Sequence, residues 1–333
     1  MTAPPTLPRI PVVRIGREGL PALASMFPDR LAAILKAARR SYTPPAVAIG
    51  DRLAAQWARR SRLAEAREIA DVAHRIGHPG AWLLNLSYEW SCTSAAHVGD
   101  DGRPRLLRTL DWQLPTLGAT VLAVEIEDRA GPWLNLTWPG FVGSVQGMAP
   151  GRFAAAINQA PGPATWLGAP GDWLAARRIA WRSTATPPAM LLRDVFRTCG
   201  DFDTALRRLT ETPVTLPVFF TLVGTAATDS AIIERMPTRA RVHRPATSVT
   251  NHWLNADFFG RSHSILSPER LEAIRARLPA EAEDLAWVRP PILNERTRLA
   301  MDASPVDGAL LAEGYEGETR VTERLSHRLA PAA

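Results

Sequence analysis

A predicted hairpin in the first third of the sequence constrains the fold more than any other stretch. Two predicted strands, Cys92 to Val98 and Arg105 to Trp112, flank a turn that contains an Asp-Gly pair. Such a pair between two strands is a short-range signal for an antiparallel hairpin. Pairing across the turn places Cys92 opposite Leu110 or Asp111, so that an aspartate is expected beside the start of the strand.

Helices are predicted before this hairpin and mainly strands after it. Residues 1–16 contain four prolines and predict an extended lead-in. Apolar residues at helical spacing then predict helices at Pro28 to Tyr42, from Asp51 onwards, at Leu63 to Ile76 and at Ala81 to Trp90. Further strands are predicted at Ala119 to Glu127, Trp133 to Trp138, Phe153 to Asn158, Val218 to Ala226, Ser230 to Arg235, Arg241 to Asn251, Arg298 to Ala303 and Leu310 to Tyr315. Helices are predicted among them at Asp172 to Trp181, Ala189 to Thr198, Phe202 to Thr210 and Ser267 to Arg277.

The order of these elements predicts the fold class. Successive hairpins, rather than alternating strands and helices, favour two sheets packed face to face with helices outside. We therefore predict an α+β protein, a four-layer αββα sandwich with an N-terminal all-helical segment. Residues 1–91 form that segment in this prediction, and residues 92–333 form the sandwich.

The composition argues against several classes of function. The chain of 333 residues has one lysine, and its net charge of +6 comes from scattered arginines, which argues against a nucleic-acid partner. Two cysteines, Cys92 and Cys199, make no disulfide framework in a chain of this size and indicate a reducing compartment. Cys199 is interpreted as a core residue of a helix. Because no signal peptide or transmembrane segment is recognisable, a cytoplasmic protein is expected.

Six short stretches occur in a fixed order within roughly residues 20 to 315. They are Ile69-Ala70-Asp71, Leu83-Leu84-Asn85-Leu86-Ser87-Tyr88-Glu89, Cys92-Thr93-Ser94, Leu107-Arg108-Thr109-Leu110-Asp111-Trp112, Gly147-Met148-Ala149-Pro150-Gly151-Arg152-Phe153 and Val249-Thr250-Asn251-His252-Trp253. Taken together, they resemble the acid ceramidase and N-acylethanolamine acid amidase group of N-terminal-nucleophile hydrolases, which are related to the choloylglycine hydrolases. The resemblance implies the αββα fold of those hydrolases and hydrolysis of a linear amide.

The resemblance also implies a maturation step. Cys92 matches the nucleophile that becomes a new N-terminus when the precursor is cut between Ser91 and Cys92. Residues 1–91 are then expected to remain associated with the catalytic segment.

Four further residues match functional positions of the group. Arg108 and Asp111 match residues that orient the α-amine and the substrate. Asn251 matches the oxyanion-hole side chain, and Arg261 matches a second active-site arginine. One position departs from the pattern, because these enzymes usually carry a glutamate where this chain has Gln159. Its loss is expected to weaken an ion pair with Arg261 or to alter maturation.

The residue types suit this chemistry without the family name. An α-amine with a pKa near ~8 can take the proton of a thiol on the same residue, whose pKa is ordinarily near ~8.5. Asp111 would stabilise the ammonium form, and Arg108 would keep Asp111 ionised. Since side chains alternate along a strand, bringing both to Cys92 requires a bulge, or an Asp111 that lies just past the strand end. The Asn251 amide would donate to the oxyanion.

No metal or cofactor is expected. His243, His252 and His263 are too widely spaced for a short ligand motif, and no cysteine or acidic partner is placed with them. Some of the aromatic residues near the proposed site are expected to line an acyl pocket, while most belong to the core. They are Trp90, Trp112, Trp138, Phe141, Trp253, Phe258 and Phe259.

Three functions remain open at this stage. The first is an amidohydrolase that acts on a small-molecule N-acyl amide through a Cys92 thioester. The second is an acyltransferase of the penicillin-acyltransferase type, in which an amine resolves the same thioester. The third is an inactive relative that serves as a binding subunit, and Gln159 supports it.

Overall fold

The computed structural model describes residues 6–16, 18–87, 90–262 and 264–331. Three residues named in the sequence analysis lie outside these ranges, namely Tyr88, Glu89 and His263. None of the described helices is long and apolar enough to span a bilayer. The helices are α1 Leu23–Met26, α2 Pro28–Ser41, α3 Pro44–Ser61, α4 Ala66–Ile76, α5 Ala81–Leu86, α6 Leu117–Thr120, α7 Gly168–Arg182, α8 Pro188–Thr198, α9 Phe202–Glu211 and α10 Ser267–Glu281. The strands are β1 Val12–Ile15, β2 Trp90–Val98, β3 Pro104–Trp112, β4 Leu122–Asp128, β5 Gly131–Thr137, β6 Gln146–Ala149, β7 Phe153–Gln159, β8 Val218–Val223, β9 Ser230–Arg235, β10 Ala240–His243, β11 Ser248–Val249, β12 Thr297–Ser304, β13 Ala309–Glu316, β14 Thr319–Arg320 and β15 Leu325–Arg328.

The strands form two sheets that pack face to face. The first sheet has the order β1-β4-β5-β6-β7-β8-β9-β10, and the second has the order β11-β2-β3-β12-β13-β14, with β15 also paired to β13. The core between them contains Cys92 and Leu110 of the second sheet and Ala154 and Ala156 of the first. The predicted α+β class and αββα sandwich are thus confirmed.

Helices cover the outer faces of both sheets. Helix α8 lies on the first sheet, where Phe196 stacks on Trp133 with ring centroids 4.8 Å apart. On the second sheet, Ile274 of α10 and Trp287 pack against Ala95 and other buried residues of the strands. This arrangement leaves β2 and β3 with one face toward the first sheet and the other toward α10.

The N-terminal helices follow the predicted amphipathic pattern. Helix α2 starts at a proline, which suits a first helical position, and buries Leu31, Ile34 and Leu35 on one side. Helix α4 ends at Gly77, whose φ of 70° is the left-handed conformation that glycine adopts without strain. The N-terminal segment is therefore a helical layer held by buried apolar faces.

Four strands were absent from the sequence prediction, namely β1, β6, β14 and β15. The extended lead-in contributes β1, which pairs in parallel with β4, so the N-terminal segment also contains a strand. Strand β6 is buried at all four positions and shows no alternation that would reveal it. The single strand predicted from Arg241 to Asn251 is instead two short strands, because the chain turns at Arg244-Pro245 between β10 and β11.

Candidate active site

Cys92 lies in the middle layer of the sandwich. Its Cα pairs with that of Leu110 across the hairpin, which confirms the predicted register. Strand β2 begins two residues earlier than predicted, at Trp90, and runs without a break through the Ser91–Cys92 bond. The Cys92 side chain is fully buried between the two sheets. The structure therefore shows the site as it stands in the uncut chain.

Arg108 is the cation in contact with the thiol. Its Nη2 lies 3.1 Å from the Cys92 Sγ, and its Nε donates to Gln146 Oε1 at 2.7 Å. Its Nη1 donates to the carbonyl of Ile157 at 2.6 Å and to Asn158 Oδ1 at 3.0 Å. Arg108 is 1% exposed, and these contacts hold it against strands β6 and β7 of the facing sheet.

Burial dominates the electrostatics of this pair. It raises the pKa of the Cys92 thiol, and the nearby Arg108 guanidinium opposes that shift only in part. Burial also lowers the pKa of Arg108. Because the thiolate is the nucleophilic form, a neutral thiol in the uncut chain needs a proton acceptor before it can attack a carbonyl.

Asp111 lies on the opposite face of the hairpin, as strand alternation requires. A bulge is present, but it lies in β12 opposite Asp111, between Thr297 and Leu299. The two Asp111 oxygens accept from Thr297 Oγ1 at 2.9 Å and from Asn294 Nδ2 at 3.0 Å. Burial raises the pKa of Asp111, and the Arg270 guanidinium is the largest opposing influence.

Arg270, in the first turn of α10, connects the two faces. Its Nη1 donates to the Cys92 carbonyl oxygen at 2.8 Å and lies 3.3 Å from Asp111 Oδ2. Its Nη2 donates to Asn251 Oδ1 at 2.9 Å. The side chain is fully buried. Arg270, rather than Arg108, is therefore the main cation beside Asp111.

Asn251 holds the backbone at Cys92. Its Oδ1 accepts from the Cys92 backbone N–H at 2.9 Å, as well as from Arg270 and the Ser264 hydroxyl. The Cys92 N–H and the Arg270 guanidinium can only donate hydrogen bonds, so the Asn251 side-chain atom that faces them must be its oxygen. The Nδ2 donates to the carbonyl of Gln159 at 2.8 Å. The expected oxyanion-hole role for this amide requires Nδ2 to leave that carbonyl.

Arg261 stands apart from this group. Its Nη1 lies 2.8 Å from Asp172 Oδ2, and its backbone pairs with Gly162. The Asp172 carboxylate is 2% exposed, whereas the Arg261 side chain is 44% exposed. Within the described ranges, no contact joins Arg261 to Cys92. Arg261 therefore has a carboxylate partner in Asp172, although position 159 is a glutamine.

An apolar cavity of about 30 Å³ lies next to the hairpin, between the N-terminal helices and the sandwich. Four of the seven aromatic residues singled out above line it, namely Trp90, Trp112, Trp138 and Phe141. Leu31 and Leu84 of the N-terminal segment close the other side. Trp253 and Phe258 instead pack on each other in a separate cluster, and Phe259 is exposed.

Within the described ranges, no group of three or more histidine, cysteine or acidic residues is placed to hold an ion. His243 contacts Glu234 at 2.7 Å, and His252 contacts the Ser267 hydroxyl at 2.9 Å. Cys199 is buried, as expected of a core residue.

Comparisons with known proteins bear on the fold. No protein-family profile matches the sequence. The N-acylethanolamine-hydrolyzing acid amidase of Cavia porcellus is 23% identical over 175 residues, which are 51% of this chain and 47% of that protein. The structure of the Caenorhabditis elegans ortholog of this amidase matches 64% of this chain and 93% of its own, with a TM-score of 0.51 and 16% identity. The fold is that of this acid amidase. The resemblance inferred from the motifs is confirmed.

A weaker structural likeness concerns the conjugated bile acid hydrolase of Clostridium perfringens. It covers 72% of this chain and 97% of that one, with a TM-score of 0.42 and 10% identity. The chain spans about half the length of the curated acid amidase that it matches.

Several residues of the candidate site were missed by sequence reasoning. They are Gln146, Ser264, Ser267, Arg270, Asn294 and Thr297. Arg270 had one available signal, because it shares the buried face of α10 with Leu271, Ile274 and Leu278. An arginine on an apolar helix face must have polar partners, which would have identified it.

Proposed function

We propose that the chain is an amidohydrolase that cleaves a linear N-acyl amide through a thioester on Cys92. The observation that carries the proposal is the convergence of side chains on one cysteine. Arg108 contacts its sulfur, Asn251 its backbone nitrogen and Arg270 its carbonyl oxygen. A buried structural cysteine needs none of these contacts.

The proposed enzyme matures by cleavage between Ser91 and Cys92. The nitrogen that Asn251 Oδ1 now holds at 2.9 Å would become the α-amine of Cys92. The amine would keep this acceptor, so its lone pair would be oriented before any substrate arrives. The neighbouring Asp111 and Arg270, both buried, would set the local charge around it.

The reaction then proceeds in two halves. The α-amine takes the thiol proton as Sγ attacks the amide carbonyl carbon, and the resulting ammonium protonates the departing amine as the C–N bond breaks. Water attacks the thioester in the second half and gives up a proton to the same amine, which releases the carboxylic acid and restores the thiol. Arg108, at 3.1 Å from Sγ, would stabilise developing negative charge on the sulfur.

The aromatic cavity supports an apolar acyl group in the substrate. It lies beside Trp90 and Trp112, which pair across the hairpin and come within two residues of Cys92 and Asp111. Its volume of about 30 Å³ is too small for a chain of several carbons. We therefore infer that the N-terminal helices shift when the acyl chain binds.

The departure at Gln159 is compatible with activity in this proposal. Its backbone carbonyl, rather than its side chain, contacts the Asn251 amide. The ion pair of Arg261 is made with Asp172 instead. We infer that Gln159 by itself does not argue for an inactive relative.

Mass spectrometry and N-terminal sequencing of the purified protein test the proposal directly. Wild-type protein is expected to yield a fragment that starts at Cys92 and to hydrolyse N-acyl amines of increasing acyl length. Cys92→Ala should stay uncut and inactive, whereas the matched control Cys199→Ala should be cut and active. An active protein with an uncut Ser91–Cys92 bond would overturn the mechanism.

Added amines separate hydrolysis from acyl transfer. Release of free acid at a rate that does not depend on amine concentration supports the hydrolase, and accumulation of the new amide supports the acyltransferase. A wild-type protein that is neither cut nor labelled at Cys92 by a thiol-reactive acyl probe would leave the inactive relative as the correct interpretation.

A further inference from the structure

Two loops anchor the Asn251 side chain. Residues 160–167, here called loop A, join β7 to α7, and residues 250–262 and 264–266, here called loop B, lie between β11 and α10. The Asn251 Nδ2 donates to the carbonyl of Gln159, the residue before loop A, at 2.8 Å. Ser264 of loop B donates to Asn251 Oδ1 at 2.9 Å. The orientation of this amide therefore depends on how the two loops are placed relative to each other.

Loops A and B are joined at Gly162 and Arg261. The Arg261 N–H donates to the Gly162 carbonyl at 3.0 Å, and the Gly162 N–H donates to the Arg261 carbonyl at 3.2 Å. This reciprocal pair is an isolated antiparallel bridge that belongs to neither sheet. Because it lies three residues beyond Gln159, it limits where the Gln159 carbonyl can lie.

Gly260 permits the close approach of the two backbones. A Cβ atom at position 260 would lie 2.5 Å from the Gly162 carbonyl oxygen, which is closer than van der Waals contact allows. A Cβ atom at position 162 would meet no atom within 4 Å outside its chain neighbours. The close approach therefore requires a glycine at position 260 but not at position 162.

Asp172 of α7 holds both loops at this junction. Its Oδ2 accepts from Arg261 Nη1 of loop B at 2.8 Å, and its Oδ1 accepts from the backbone N–H of Thr165 in loop A. The Arg261 Nη2 also donates to the Thr165 carbonyl at 3.4 Å. The carboxylate is 2% exposed. Hydrogen bonds between charged groups are stronger than neutral ones, so one carboxylate fixes the two loops to α7.

A second ion pair of loop B provides a contrast. Asp257 lies 3.2 Å from Arg241 of β10, and the two side chains are 62% and 55% exposed. Exposed pairs of this kind contribute little to stability. The Arg261–Asp172 pair differs because its carboxylate is buried and also binds the backbone of loop A.

We propose that Asp172 positions Asn251 against the Cys92 nitrogen by holding loops A and B together. In the uncut chain it would keep Asn251 Oδ1 on the Cys92 N–H, which lies at 2.9 Å, and after cleavage on the α-amine. It would act through the loops rather than on the reacting atoms. The catalytic part rests on the proposed function, since only a cut chain has that amine. The placement of Asn251 in the uncut chain does not.

Hydrogen exchange in the full-length Cys92→Ala variant tests this placement without turnover. The backbone N–H of residue 92 is the reporter, because its acceptor is Asn251 Oδ1. Residue-resolved exchange is measured in this parent and after adding Asp172→Asn or Gly260→Ala. Each substitution should raise the exchange rate of the residue-92 N–H at least about tenfold, because the separated loops no longer hold its acceptor. The N–H groups of β12 and β13 report whether the rest of the fold is intact.

Matched controls separate the junction from general loosening. Gly162→Ala adds the same methyl group where it meets nothing, and Asp257→Asn removes the exposed ion pair of the same loop. Both should leave the residue-92 exchange rate within about twofold of the parent. Arg261→Lys retains a charge opposite Asp172, so it should raise the exchange rate less than Arg261→Met does.

Turnover of the cut protein tests the catalytic part. In Asp172→Asn, kcat should fall about tenfold or more while KM changes less than about threefold, because the α-amine rather than the substrate pocket loses its orientation. Asp257→Asn should leave both constants unchanged. Rates are expressed per Cys92 titrated with a thiol-reactive acyl probe, so that a loss of folded or cut protein does not count as a loss of kcat.

The outcomes distinguish this proposal from the proposed function. A residue-92 exchange rate that Asp172→Asn and Gly260→Ala leave unchanged would overturn the positioning role. So would equal effects of Gly260→Ala and Gly162→Ala, or an unchanged kcat in the cut Asp172→Asn protein. A wild-type protein that is uncut and inactive would refute the proposed function instead, and the exchange rates would still decide how Asn251 is placed.

Discussion

Replacing Arg270 by methionine is the perturbation that probes the site most deeply. The guanidinium has six acceptors within hydrogen-bonding distance, in Cys92, Thr93, Asp111, Asn251, Ser264 and Ile265. Methionine fills most of the volume but supplies no donor. The Asp111 carboxylate, which is 1% exposed, would then be buried with only neutral partners.

The expected cost follows from that burial. Removing one member of a buried ion pair destabilises a protein by roughly 3–5 kcal/mol, because the other charge stays uncompensated. Adding Asp111→Asn should recover part of the loss, since no charge remains unpaired. A coupling free energy of about 1–3 kcal/mol between the two substitutions is expected for residues in direct contact.

Urea unfolding of four proteins measures this coupling, with Cys92→Ala as the common background so that chain cleavage does not intervene. Arg275→Met is the matched control, because Arg275 is exposed on the same helix and makes one hydrogen bond, to Ser248 Oγ at 3.1 Å. Its loss should cost under about 1 kcal/mol. Equal costs for Arg270→Met and Arg275→Met, or a coupling near zero, would refute the interpretation of Arg270 as the link between Asp111 and Cys92.

Three further predictions concern pH, the acyl cavity and Asp172. Burial raises the pKa of Asp302 to about 6, above its value in the unfolded chain, so its stabilising contribution is greatest below about pH 4 and is lost as pH rises through 6. The free energy of unfolding of Asp302→Asn should therefore rise by about 3 kcal/mol relative to that of wild type between pH 4 and pH 7.5. Urea unfolding at each pH measures this difference. A difference that does not change with pH would contradict the prediction. Leu84→Trp should fill the cavity and raise KM for long acyl amides at least about tenfold, while KM for acetyl amides changes little; equal effects on both would place the acyl group elsewhere. Asp172→Asn should slow the appearance of the Cys92 fragment on gels more than Gln159→Glu does, because Arg261 is paired with Asp172. A larger effect of Gln159→Glu would indicate that position 159 matters more for maturation.

Local sequence patterns were sufficient for the hairpin and its register. The Asp-Gly turn predicted that Cys92 faces Leu110 or Asp111, and Cys92 pairs with Leu110. Alternation along β3 keeps Arg108 and Asp111 on opposite faces, and neither the bulge nor the strand end that would bring both to Cys92 occurs there. The ordered motifs then identified Asn251, which is 159 residues from Cys92 in sequence.

The remaining site residues depend on contacts that no local pattern encodes. Asn294 and Thr297 reach Asp111 only because β12 pairs with β3, and that pairing joins residues more than 180 positions apart. Arg261 matched a family position, and its role in the active site stays a prediction. Its side chain pairs with Asp172 of α7, a contact between residues 89 positions apart that no local pattern encodes.

The position of strand β1 affects whether the protein could refold after unfolding. It contributes an edge strand to the first sheet from the segment that precedes Ser91. Before cleavage, that strand and its sheet are parts of one molecule, and refolding is independent of concentration. After cleavage they would be two molecules sharing one sheet, so recovery from unfolding would require them to meet again. The mature protein would then be protected by slow unfolding rather than by reversible folding, and its loss of activity on heating would be permanent in dilute solution.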